Sequence, residues 1–454
     1  MATPLAVVLR SSEDVHPPGY YLAVWAAAQS TSLDFVTASR GFSALLAVLA
    51  LLFIIIAPPR SVGWSARLGA AAFAASSAIW FEYSQQARSY ALCFVLVAAL
   101  IGIALRCRDR LRLSELPIRW LTILAFVALL TCLSHYYALL LAGAVFSMLL
   151  VYCQNWRAVF AVCSAGISVL IGTLTYLGWH VSRMVADIGD TWFSSDFAFV
   201  ANQLQDGLSL VVEGIWSTLF VGFVVVALIS VTMRRRHLPP DENLEFQEHW
   251  GPVTFLAGVF GLTIVFSVLT TLAVTPMLSF RLFVLMAPVC WIALAYGLEV
   301  VLRGQLPWAA TLLSVILVGA SSVVLNRGVD DQQNWRQSAQ TVAATPGCLS
   351  ATLPVMWWEQ PYFGADDPEY FYGFYLPSNP GRDWITVPRD DAAATLSDIA
   401  IGDLVNDTAR GARQCSIVLW SVHLHGTTSS KMMQEHLQSH LPANSDHKIE
   451  VEIL

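Results

Sequence analysis

Four short stretches hold the residue types able to do chemistry in this chain. The first is Glu13-Asp14-Val15-His16-Pro17-Pro18-Gly19-Tyr20-Tyr21. Its two prolines fix an extended turn ahead of a helix, so two carboxylates and an imidazole stand together at the helix entry. A carboxylate there can act as a base or hold a divalent ion, and His16 can contact phosphate or metal. The second stretch is Phe81-Glu82-Tyr83-Ser84-Gln85-Gln86-Ala87-Arg88-Ser89-Tyr90. The Arg88 guanidinium suits a phosphate, although pairing with Glu82 would use it equally well. The third is Ser134-His135-Tyr136-Tyr137, whose histidine between aromatic and hydroxyl neighbours also fits an interfacial belt. The fourth is Thr275-Pro276-Met277-Leu278-Ser279-Phe280-Arg281, in which one arginine opens a helix and can either bind an anion or snorkel to lipid headgroups.

The elements that must position these groups follow from composition. The 454 residues are 56% hydrophobic and 13% charged, about half the charge of an ordinary soluble protein, and the mean hydropathy is +0.59. A globule of this size needs more polar surface, so a soluble monomer, a disordered chain and a nucleic-acid binder are all excluded. The net charge of −7 comes from acidic residues beyond Asn326; lysine first occurs at Lys431. The eight cysteines show no metal spacing, and six lie in or beside apolar runs, where a thiol acts as a small hydrophobe. Cys348 and Cys415, in the polar tail, can pair in an oxidising compartment or remain free thiols.

Apolar runs at 41–57, 68–81, 89–105, 120–134, 136–154, 158–179, 209–233, 251–275, 282–302 and 307–325 predict about ten helical passes. Arginines sort the intervening loops. Arg60, Arg67, Arg106, Arg108, Arg110, Arg112, Arg119, Arg157, Arg234–Arg236 and Arg303 fall on alternate loops, which the charge bias assigns to the cytoplasm. Arg88, Arg183 and Arg281 fall on the opposite loops, with Arg40 at a helix start. The predicted fold is an all-α polytopic membrane bundle with a small C-terminal α/β domain. Residues 1–37 form an extracytoplasmic segment with a juxtamembrane helix, 38–325 the membrane domain and 326–454 the extracytoplasmic α/β domain. In the tail, Leu349–Trp358, Ser416–His423 and Ile449–Leu454 read as strands, and Ser429–Leu441 reads as a helix. The rival reading of the first segment has residues 20–37 crossing the membrane, with His16 in the cytoplasm. The outer loop 183–213, with Asp187, Asp190, Asp196 and Asp206, is either a solvated acidic loop or a cation-binding gate.

Taken in order, these pieces resemble the lipid-dependent glycosyltransferases of the GT-C fold, in the branch of the dolichyl-phosphate-mannose protein mannosyltransferase-like and aminoarabinose transferase-like enzymes. The matching residues are Asp14-Val15-His16-Pro17-Pro18-Gly19-Tyr20-Tyr21, Arg40-Gly41-Phe42-Ser43-Ala44-Leu45, Tyr83 through Leu92, His135-Tyr136-Tyr137, Arg281 with Pro288, and Asn334-Trp335-Arg336. The resemblance implies transfer of a sugar from a polyprenyl-phosphate carrier to an extracytoplasmic lipid, glycan or protein, in a bacterial inner membrane. Under it, Asp14 and Glu13 are the catalytic carboxylates, and His16, Arg88 and Arg281 bind the donor phosphate. Tyr20, Tyr21, Tyr83, Gln85, His135 and Tyr136 line the pocket. A divalent ion (Mg or Mn) on Asp14 and His16 is the cofactor compatible with this set, with no organic cofactor. The departing phosphate is anchored in lipid, so its charge must be met by cations at the membrane surface.

The chain departs from such relatives by lacking a first helix followed by an acidic motif. A start upstream of Met1 is the expectation, with Asp14 acting alone as the alternative. Two other functions compete: a transporter or flippase of lipid-linked sugar, and a non-catalytic relative acting as a partner. A transporter keeps ionised groups near mid-membrane, and these spans are read as free of Asp, Glu, Lys and Arg.

Overall fold

The computed structural model describes residues 3–11, 17–31, 33, 35–59, 62–84, 86–184, 194–212 and 240–302, together with 353–358, 384–390, 395–396, 420–421 and 438–439. The chain divides into two units, Met1–Val329 and Asp330–Leu454.

The described secondary structure of the first unit is all helical, joined by turns and loops. Its helices are α1 (Pro4–Ser11), α2 (Gly19–Gln29), α3 (Phe35–Ile56), α4 (Trp64–Ala75), α5 (Ala78–Ser84), α6 (Tyr90–Arg112), α7 (Ile118–Cys132), α8 (Tyr137–Leu150), α9 (Trp156–Met184), α10 (Phe197–Val212), α11 (Pro240–Ala273) and α12 (Arg281–Leu302). Among the described residues, five stretches are long and apolar enough to cross a membrane: Thr37–Ile56, Tyr90–Arg112, Trp156–Trp179, Trp250–Ala273 and Arg281–Val300. Helices α7 and α8 are apolar but shorter. Backbone amides in hydrocarbon need internal partners, which is why helix is the form these sequences take.

Burial separates central helices from peripheral ones. The apolar window of α6 is 78% buried within the protein and that of α12 is 72% buried, against 22% for α9. Small residues let α6 come close to its neighbours; Gly102 faces the backbone of Ala57, at the end of α3, with no room for a side chain. The peripheral helices turn apolar side chains outward, among them Leu45 and Leu52 of α3, Phe160 and Ile171 of α9, and Val265 and Leu269 of α11. In water such faces would be a liability, and in lipid they are the expected exterior.

Several local features differ from the sequence reading. The run 68–81 is not one helix: α4 ends at Ala75, and α5 begins at Ala78 after Ser76-Ser77. There the Ser76 hydroxyl donates to the Phe73 carbonyl oxygen (3.1 Å), a local bond that competes with helix continuation. Residues 197–212, assigned to the outer loop, form α10. Helix α2 is 11 residues long, a rise of about 16 Å against ~30 Å of hydrocarbon, so it is too short to cross by itself. The run 282–302 also includes Glu299, whose carboxylate accepts from the Ser65 hydroxyl (3.2 Å). The runs 209–233 and 307–325 fall largely or wholly outside the described residues.

One end of the bundle gathers arginines against exposed carbonyls. Arg67 donates to the Val62, Ile55 and Pro59 oxygens at 3.0, 3.1 and 2.6 Å. Arg106 donates to the Ala57, Ile56 and Pro58 oxygens at 2.7, 3.2 and 3.3 Å. Together they satisfy the C-terminal carbonyls of α3 and oppose its negative dipole end. Arg108 is 2% exposed, pairs with Asp109 at 2.8 Å and lies 5.0 Å from the Tyr152 ring, against Gly251 of α11.

In the second unit, β1 (Leu353–Trp358), β2 (Trp384–Asp390), β3 (Thr395–Leu396) and β4 (Trp420–Ser421) form one sheet in the order β3-β2-β1-β4. Strand β1 runs parallel to β2 and β4, whereas β2 and β3 are antiparallel. The strand at 384–390 is not among those that the sequence marks. Cys348, Cys415, Ile449–Leu454 and most of Ser429–Leu441 fall outside the described residues.

Candidate functional site

The end of the bundle opposite the arginine-rich one collects the polar turns. Helices α6, α8 and α12 begin there, and α5 and α7 end there. The chain direction therefore brings the second, third and fourth stretches to one place.

Aromatic rings form its centre. Tyr83, at the end of α5, meets Tyr90, the first residue of α6, edge to face at 4.8 Å between centroids. Tyr90 lies 5.9 Å from the His135 ring, which stacks on Tyr137 at 5.1 Å. The Tyr90 hydroxyl is buried and has no hydrogen-bond partner among the described residues. Such an orphan costs about 1–3 kcal/mol, and a bound polar ligand would recover it.

The segment leading into Arg281 is held from three helices. The Thr271 hydroxyl of α11 accepts from the Leu278 amide (3.0 Å), and the Gln203 side-chain oxygen of α10 accepts from the Phe280 amide (3.0 Å). The Tyr137 hydroxyl of α8 donates to the Met277 carbonyl oxygen in a short bond. Ser279 is fully buried and accepts from the Arg281 amide at 3.4 Å, as a helix cap would. Arg281 is thereby fixed at the positive end of α12, half-buried, with its guanidinium 5.9 Å from the Phe280 ring.

Electrostatics tie the stretches together. Burial pushes the Tyr83 phenol above the usual tyrosine range; Glu82 and Tyr90 add to the push, while Arg281 and Arg88 oppose it. Tyr83 thus lies within the field of both arginines and is neutral at ordinary pH, a hydrogen-bonding group rather than a base. Arg88 itself is exposed in the turn between α5 and α6.

The first stretch is anchored nearby by its described part. The Gly19 amide donates to the Leu133 carbonyl oxygen (3.0 Å), at the turn that presents His135. Tyr20 is 1% exposed, and its hydroxyl shares a 2.8 Å hydrogen bond with Ser43 of α3. That bond fastens α2 to α3. Tyr21 is half-buried, its ring 5.8 Å from that of Tyr20.

Of the sequence-selected residues, Tyr83, His135 and Arg281 gather with Arg88 close by, and Tyr136 sits between His135 and Tyr137 in the same turn. Glu13, Asp14, His16 and Gln85 lie outside the described residues. Among the described residues no three His, Cys, Asp or Glu side chains converge as metal ligands. Sequence reasoning missed Tyr90, Tyr137, Ser279 and Gln203. The first three lie inside or beside the four stretches, whereas Gln203 carries no signal, because it sits in the acidic segment that reads as a loop.

Fold and site together define a helical bundle with membrane-length apolar helices and a cationic, aromatic cluster at one end. No protein-family model matches this chain, and no curated protein matches it.

Proposed function

We propose that the protein is a glycosyltransferase that moves a sugar from a polyprenyl-monophosphate carrier to an acceptor at the outer membrane face. In this reading the bundle is GT-C-like with about ten spans, and the second unit is a small α/β domain on that same face. The arginine-rich end faces the cytoplasm, and the membrane is a bacterial inner membrane. The observation that carries the reading is the gathering of Tyr83, Tyr90, His135 and Tyr137 with Arg281 at one end of an apolar bundle.

The chemistry divides among the residues as follows. An acceptor hydroxyl or amine attacks the anomeric carbon as the bond from that carbon to the phosphate oxygen breaks. The departing phosphate takes the electron pair and stays on the lipid, where Arg281 and Arg88 meet its charge. His16 is the third donor-binding group, and Asp14, with Glu13, receives the acceptor proton. Buried rings offer the sugar apolar faces, and the Tyr90 hydroxyl supplies a hydrogen-bonding tip.

The test uses the full chain in proteoliposomes with a labelled polyprenyl-phosphate sugar. Arg281→Ala and His16→Ala should each abolish release of label from the carrier while leaving the unfolding midpoint unchanged. Wild-type rates in both variants would remove the reading. Counterflow of intact lipid-linked sugar across sealed vesicles would instead establish a flippase.

A further inference from the structure

A second site is carried by the outer surface near the arginine-rich end. Helices α7 and α9 run side by side and both begin there. They touch where Leu129 of α7 meets Gly172 of α9; a methyl group on Gly172 would sit 3.0 Å from a Leu129 methyl. Below that contact they part and leave a groove of about 720 Å³, within the ~300–1,000 Å³ of ordinary ligand pockets. Ile118, Leu121 and Ala125 form one wall, and Phe160, Ala161 and Ala165 form the other.

We infer that this groove binds one acyl chain of an anionic glycerophospholipid from the leaflet at the arginine-rich end, with the headgroup phosphate on Arg157.

Depth is the first argument. The groove runs along α9 from Trp156 to Ser168, about 18 Å at 1.5 Å per residue, against roughly 15 Å for half of the ~30 Å hydrocarbon. It is one leaflet deep, which suits a lipid tail and is too short for a membrane-spanning partner helix. Polarity is the second. Two of the three hydroxyls in its walls bond within their own helices: Thr122 donates to the Ile118 oxygen (3.1 Å) and Ser168 to the Ala165 oxygen (2.7 Å), with Ser164 the third. The rest of the lining is mostly apolar side chains, so the interior offers mainly hydrocarbon contact.

Charge at the mouth is the third. Asp109 and Glu115, the acidic side chains nearby in sequence, are engaged by Arg108 and Arg110 at 2.8 and 2.6 Å. Arg157 lines the groove, and among the described residues it has no acidic partner within ion-pair distance. Two helix N-termini add their positive dipole ends, and α7 starts after Pro117 with no side-chain cap. Trp156, 76% exposed beside Arg157, is the residue type that sits at headgroup level. None of this depends on the transfer reaction.

The experiment is native mass spectrometry of the full chain released from nanodiscs of equimolar phosphatidylglycerol and phosphatidylcholine. The wild type should retain phosphatidylglycerol several-fold over phosphatidylcholine. Arg157→Gln should bring that ratio near one, and Ala165→Phe, which fills the groove, should lower retention of both lipids. Millimolar inorganic phosphate should displace nothing. Equal retention of the two lipids by the wild type would overturn the inference without any variant. So would an unchanged preference in Arg157→Gln, displacement by phosphate, or a dimer that Ala165→Phe dissolves.

Discussion

Replacing Gly19 with alanine tests how the first stretch is attached to the rest of the site. A Cβ at Gly19 would lie 2.6 Å from the Leu133 carbonyl oxygen, 2.9 Å from the Ser134 hydroxyl and 3.2 Å from the Leu133 carbonyl carbon. Side-chain rotation cannot relieve this, because the Leu133 oxygen is backbone at the capped end of α7. The chain must therefore separate there. Separation costs the 3.0 Å hydrogen bond from the Gly19 amide to Leu133, about 0.5–1.5 kcal/mol. Overpacking adds about 1–3 kcal/mol, and the helix preference of alanine returns at most about 1 kcal/mol. The net loss is about 0.5–4.5 kcal/mol. Gly41→Ala is the control, since nothing lies within 4 Å of its Cβ; it should be neutral or gain up to about 1 kcal/mol. Equilibrium unfolding of both full-length variants in detergent micelles measures the difference. Donor binding should fall in Gly19→Ala and not in Gly41→Ala. If Gly19→Ala unfolds at the wild-type midpoint, the anchoring of α2 on the His135 turn is wrong.

Gly102→Ala should destabilise by about 1–3 kcal/mol in the same unfolding assay, because its Cβ would lie 2.7 Å from the Ala57 carbonyl carbon. Arg67→Ala removes three guanidinium hydrogen bonds, to the Ile55 carbonyl at the end of α3 and to Pro59 and Val62 in the loop after it. A loss of about 2–4 kcal/mol is expected, with a smaller one for Arg67→Gln, both read from unfolding midpoints. Tyr137→Phe should cost about 1 kcal/mol by unfolding and weaken donor binding, since the Met277 carbonyl then releases the segment before Arg281. Burial holds the Tyr83 pKa in the folded chain above its unfolded value. The stability from keeping the phenol neutral is therefore complete below pH ~10 and is lost as pH rises from there toward the folded-state value. Midpoints from pH 8 to 11 should fall more steeply for the wild type than for Tyr83→Phe.

The legible part of this protein was the part written in hydropathy and local spacing. Apolar runs marked α3, α6, α9, α11 and α12 because hydrocarbon demands both length and low charge. Arg106 and Arg67 fell on the same side of the alternating loops, and they meet at the end of α3. His135 and Arg281 were chosen for being polar at turns, and chain direction alone brought them to the same end. Contact-level facts were not legible. Nothing in the spacing of Ser76-Ser77 announces that a 14-residue apolar run is two helices. The pairing of Gln203 with Phe280 spans 77 residues and depends on a helix hidden in an acidic segment. The bond between Tyr20 and Ser43 is tertiary and leaves no mark on the sequence. The groove between α7 and α9 depends on where two helices part, which no single-helix pattern records.

The most direct test of the central claim is to locate a polyprenyl monophosphate on the full chain. A photoreactive carrier in nanodiscs, mapped by peptide mass spectrometry, should label residues 81–90, 133–137 and 277–281 saturably, and Arg281→Ala should remove the labelling. Saturable labelling confined to the arginine-rich end, or identical labelling in Arg281→Ala, would contradict the account.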